Sequence, residues 1–63
     1  MNTYENVYEV TWDKKDYEVI SEGKKHGTFV SKHLEVAKAK AWELIEDGYE
    51  NVIVSKVSEF YLG

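Results

Sequence analysis

The sequence predicts an α+β fold: one small domain in the order β-β-β-α-β, with a three- to four-stranded, mainly antiparallel sheet and one helix packed on one face. Three observations predict it. Residues 4–12 alternate with period two, residues 34–45 carry apolar side chains at helical spacing, and 63 residues leave room for a single core. With 43% hydrophobic and 32% charged residues, the chain is too apolar for a disordered segment and too charged for a membrane span.

The first strand is read from Tyr4 to Trp12. Its even positions are Tyr4, Asn6, Tyr8, Val10 and Trp12, and its odd ones Glu5, Val7, Glu9 and Thr11, the pattern of a half-buried strand. Asp13-Lys14-Lys15-Asp16 follows as a polar loop. Alternation resumes with Tyr17, Val19 and Ser21 against Glu18, Ile20 and Glu22, which predicts a β-hairpin with Trp12 facing Tyr17. A second turn, Gly23-Lys24-Lys25-His26-Gly27, leads into a short strand, Thr28-Phe29-Val30.

Ser31 is expected as the N-cap of the helix that follows. On a wheel of 100° per residue Leu34, Ala37, Ala41, Leu44 and Ile45 share an arc of about 100°, with Trp42 on its flank. Gly48 stands at the left-handed position that ends a helix, with Tyr49 placed to pack on Leu44. The last strand runs from Asn51 to about Leu62. It is expected to run parallel to the first and third strands, beside the first, in the order 3-2-1-4. The predicted core is Tyr8, Val10, Trp12, Val19, Val30, Leu34, Ala37, Ala41, Leu44, Ile45, Val52 and Val54.

A chain of this size buries only about 60% of the surface it exposes when unfolded, so a disulfide, a metal or a second subunit would add needed stability. There is no Cys. Metal sites need three or four converging ligands, whereas His26 and His33 are expected at opposite ends of the sheet, so no metal and no cofactor is expected. Neither a nucleophile turn nor a Gly-rich phosphate loop is present, and no catalytic residue is assigned. The first residues, Met1 to Val7, have no basic or apolar signal region, and the longest apolar runs, Val52-Ile53-Val54 and Phe60-Tyr61-Leu62, are far shorter than a membrane span. A cytoplasmic chain is the expectation.

Eight Lys, no Arg and a net charge of −4 argue against nucleic acid as a partner, because Arg supplies the bidentate contacts and a polyanion is repelled. Lys-rich hairpin tips, Lys14-Lys15 and Lys24-Lys25, are the only route to such binding. Three other surfaces invite a protein. Glu43, Glu46, Asp47 and Glu50 crowd the helix C-terminus, where unpaired carbonyls favour cations. They form either a solvated end offset by Lys24 and Lys25, or an acidic patch for a partner with a basic surface. Val7, Ile20 and Phe29 are expected side by side on the open sheet face, as an interaction or dimer surface. Phe60, Tyr61 and Leu62 end the chain with three apolar residues, which either pack back on the core or pair at an edge with a second copy.

In length and composition, a 63-residue acidic chain without Arg, Pro or Cys resembles the small accessory proteins of bacterial viruses and mobile elements of low-GC hosts. The resemblance implies a phage-type protein that binds and inhibits or modulates a host factor in the host cytoplasm. The expected function is therefore a non-enzymatic, acidic protein-binding module. The alternatives are a homodimeric interaction protein and a weak nucleic-acid binder.

Overall fold

The N-terminal alternation forms a strand, β1 (Thr3–Asp13), at the centre of the sheet seen in a computed structural model. The structure describes residues 3–62, with side chains over 6–56. After β1 come a short helix α1 (Asp16–Glu22), a strand β2 (His26–Ser31), a long helix α2 (Leu34–Glu46) and a strand β3 (Glu50–Leu62). The sheet has the order β2-β1-β3, both neighbours antiparallel to β1, and α2 lies across all three strands. The class is α+β, with one sheet and one long helix packed on it, as the patterning predicts.

The element order departs from expectation at residues 16–22, which are helical rather than a second strand. The helix is fixed from its ends. The Lys15 N–H donates to Glu18 Oε1 at 3.0 Å, and Gly23, at φ +74°, closes the last turn through its N–H to the Val19 carbonyl at 2.8 Å. Tyr17, Val19 and Ser21 alternate with Glu18, Ile20 and Glu22, but α1 buries none of its residues, so their alternation reports no buried face. Losing one strand also reverses β3. The long helix brings the chain back so that β3 runs parallel to β2, and with β2 antiparallel to β1, β3 lies beside the first strand but antiparallel to it.

Val10 of β1 and Ala37, Ala41 and Leu44 of α2 are buried against one another, and Tyr8, Trp12, Phe29, Tyr49, Val52 and Val54 pack around them. Register decides the membership. Val10 pairs with Phe29, so Phe29 points to the helix and Val30, paired with Glu9, is 56% exposed on the other face. Leu34 and Ile45, expected in the core, lie on an exposed flank of α2, and Val19 is carried off on α1. Gly27 pairs with Trp12 and is buried under its indole, with no room for a Cβ.

α2 ends as predicted. Gly48 has φ +87°, its N–H reaches the Ile45 carbonyl at 3.1 Å, and the Tyr49 N–H reaches the Leu44 carbonyl at 3.0 Å, the paired bonds of a Schellman motif. Its start differs. His33 is the N-cap, and the Ser31 hydroxyl accepts the His33 N–H at 3.0 Å one step earlier in the turn. β3 carries an extra residue against β1 at two places, next to Asn51 (φ +53°) and at residue 57.

Candidate functional site

The acidic helix end, α1 and the starts of β2 and β3 meet at one end of the sheet, because β1 ends there and its excursion to β2 folds over that end. Asp13 ties the strands together. Its Oδ2 accepts from Asn51 Nδ2 at 2.6 Å, and its Oδ1 lies 3.1 Å from His26 Nδ1. The Lys14 N–H donates to the Lys25 carbonyl at 2.8 Å, closing the base of the excursion.

Lys15 then joins the two helices. Its Nζ donates to the Asp47 carbonyl at 2.7 Å and sits 4.6 Å from the centroid of the Tyr49 ring. A cation at the C-terminal carbonyls of α2 is what the helix dipole favours. The offset expected from Lys24 and Lys25 comes instead from Lys15, 32 residues away in sequence. Tyr49 completes the link by donating its hydroxyl to Glu18 Oε2 at 2.8 Å. The Lys15 N–H, and after it the Tyr49 hydroxyl, hold the Glu18 carboxyl below its ordinary value. The same Glu18 bond, together with desolvation, pushes the Tyr49 phenol up to about 12.

This network positions α1 while leaving Tyr17 and Ile20 in water. Ile20 is 85% exposed and Tyr17 65% exposed, and Tyr17 stands close enough to the Tyr49 phenol to act on it electrostatically. Glu43, Glu46, Asp47 and Glu50 are all exposed, as the sequence suggests, with Lys40 Nζ 3.8 Å from Glu43 Oε1. Between α1 and the turn before β3 lies an open cleft of about 330 Å³, lined by Asp13, Lys14, Lys15, Asp16, Gly48, Tyr49 and Glu50. Its walls carry both signs of charge.

The expected open-face patch does not form. Val7 is buried, Ile20 stands on α1 rather than on the sheet, and Phe29 packs toward α2 through its pairing with Val10. Among the described residues, Val30 and Ile53, paired with Glu9 and Thr11, are the exposed apolar residues on that side. Phe60, Tyr61 and Leu62 pair along the backbone with Glu5, Tyr4 and Thr3, while their side chains lie outside the described residues. The two lysine pairs flank α1 at one end instead of marking two separate hairpin tips, with Lys14 paired to Glu22 and Lys15 on the Asp47 carbonyl. His26 and His33 sit at the two ends of β2. Among the described residues no group of three or more His, Asp or Glu is placed to hold a metal, and no helix is long and apolar enough to cross a membrane.

Sequence reasoning missed Lys15, Tyr17, Glu18 and Tyr49 as members of the site. The available signal was Glu18 three residues after Lys15 with Gly23 beyond, the spacing of a capped short helix. No family model matches the chain, and no curated protein or solved structure matches it.

Proposed function

We propose that the chain is a non-enzymatic protein-binding module that works through the end of the molecule built by α1 and the acidic turn. One observation carries this reading. A seven-residue helix with nothing buried is nevertheless held in place by the Lys15–Tyr49–Glu18 network, and it presents Tyr17 and Ile20 to solvent at the end of the molecule where α2 stops at Asp47. Folding alone gives no reason to place Ile20 there, since it contributes nothing to the core. An apolar anchor with a charged rim is the anatomy of a recognition surface, in which the anchor supplies affinity and the charges steer approach and set register.

The partner this surface fits is a protein with an apolar groove flanked by Lys or Arg. Where such a partner is itself a nucleic-acid-binding protein, the carboxylates would occupy its phosphate positions, and the chain would act as an inhibitor in the cytoplasm. Capture from the native host with Ile20→Asp, and separately with Glu46→Lys combined with Asp47→Lys, tests the reading. Each variant is expected to fold as the wild type does and to lose the captured protein. Undiminished capture by both refutes it, and capture of DNA or RNA that survives nuclease-free washing at low salt would favour the lysines instead.

A further inference from the structure

A second surface, along the β3 edge, is left incomplete. Lys40 and Trp42 flank Ala41 on opposite sides of α2, about 100° each way around the helix. Lys40 leans toward β2, with its Nζ 5.7 Å from the centroid of Phe29, so the Trp42 flank overhangs β3. Ile45 and Leu34 share that flank, and Trp42 is 64% exposed, Ile45 48% and Leu34 36%. Below them Val52 and Val54 are only half-buried, and β3 is an edge of the sheet along its whole length.

We propose that a second copy of this chain occupies this edge, pairing β3 antiparallel with its own copy to give a six-stranded sheet with both α2 helices on one face. Self-complementarity selects the occupant and its register. A two-fold axis through two antiparallel strands must set one residue opposite its own copy, because an axis between pairs would relate a hydrogen-bonded pair to a non-hydrogen-bonded one. Centring on Lys56 would oppose two ammonium groups. Centring on Ile53 sets Val52 against Val54 on the helix side, Ile53 against Ile53 on the open side, and brings Lys56 toward Glu50 of the other copy. The paired segment, 52–56, falls between the two irregular places in β3, where the strand is regular.

The helices agree with that register. With about 1.5 Å of rise per helical residue and about 3.3 Å per strand residue, the level of Ile53 falls near residues 39–40 of α2. Antiparallel copies then set Leu34 against Ile45, and Lys38 against Trp42 with its alkyl stem along the indole. Each α2 lies over the middle of its own three strands, so the two axes stand about three strand spacings, or ~14 Å, apart. That exceeds the ~8–10 Å of directly packed helices and calls for large side chains in the gap, which accounts for an exposed tryptophan there. Trp42 alone contributes on the order of 150 Å² per copy. With Leu34, Ile45 and the outer side of 52–56 the pair reaches the order of 1,000 Å² that a specific interface needs.

Sedimentation equilibrium of the full chain at micromolar concentration is expected to give twice the 7.3 kDa of one copy. Trp42→Lys combined with Ile45→Lys changes only exposed positions, and it is expected to keep the far-ultraviolet spectrum and to return the mass to that of one copy. The chain has no cysteine, so Ile53→Cys supplies a single thiol that should cross-link with its copy under mild oxidation, while Thr28→Cys on the opposite edge should not. A wild-type mass of one copy overturns the proposal and leaves the edge for a strand of another protein. Equal cross-linking at both cysteines overturns it as well.

Discussion

Replacing Gly27 with alanine tests whether the close pairing of Trp12 and Gly27 organises the core. A Cβ at residue 27 would fall within the indole of Trp12, against Cε2, Cζ2 and Nε1. The ring cannot simply tilt away. Tyr49 meets it edge-on at 6.4 Å and 72°, and Lys40 Nζ lies 5.9 Å from its centroid. Overpacking of this kind costs about 1–3 kcal/mol. Alanine also returns about 0.4–1 kcal/mol by restricting the unfolded chain, since Gly27 has no left-handed φ to protect. The net loss is then roughly 1–2 kcal/mol, against about 3–9 kcal/mol for a whole domain of this length. Thermal unfolding followed by circular dichroism, at matched protein concentration, should show the midpoint falling by roughly 5–15 °C. In a Trp12→Leu background the clash is gone, so Gly27→Ala should there be neutral or slightly stabilising. The same loss in both backgrounds, or no loss in either, would refute the reasoning.

Three further outcomes follow from the same geometry. Leu44→Ala removes a buried side chain from a core of few buried residues and should cost about 2–5 kcal/mol, enough to leave much of the population unfolded at 37 °C by denaturant titration. Gly48→Ala forces a Cβ onto a φ of +87° and should cost about 1–2 kcal/mol by the same titration, with α2 fraying at its C-terminus. Absorbance titration should find one phenol ionising only near pH 12, and Glu18→Gln should return it toward the ordinary 10.0. Because the folded Tyr49 value is raised, its bond with Glu18 stabilises fully below pH 10.0 and fades as pH rises through about 12. Glu18 is lowered from 4.5, so its contribution holds above that value and is lost as pH falls through the folded one, freeing α1 in acid.

The position of α1 explains why the acidic end can be both crowded and stable. Four carboxylates at a helix C-terminus oppose the dipole, and a short-range reading looks for the compensating cation nearby in sequence. The cation is Lys15, delivered by the loop that closes over the end of the sheet. The same loop places Tyr17 and Ile20 in the solvent, so the device that neutralises α2 also creates the surface proposed for recognition.

Patterning along the chain was enough for β1 and for α2 with its Gly48 stop, because their apolar repeats and end signals are local, whereas β3 was legible as an apolar strand but not as to its buried face, since both of its parities carry apolar residues. Patterning also placed Tyr8, Val10, Trp12, Ala37, Ala41 and Leu44 correctly, and located the acidic cluster on the surface. Three points escaped the patterning. Residues 16–22 fold as a helix whose alternation answers to no buried face, so only its end contacts distinguish it from a strand. The direction of β3 followed from that, since removing one reversal of the chain turns every later strand around relative to β1. The choice between Phe29 and Val30 for the core rested on which of them faces Val10, and a shift of one residue in register exchanges the two faces of a strand. The helix had a local signal in the Lys15–Glu18 spacing and Gly23, but the other two depend on which segments meet across the fold, and neighbours in space leave no mark on the local pattern that a sequence displays.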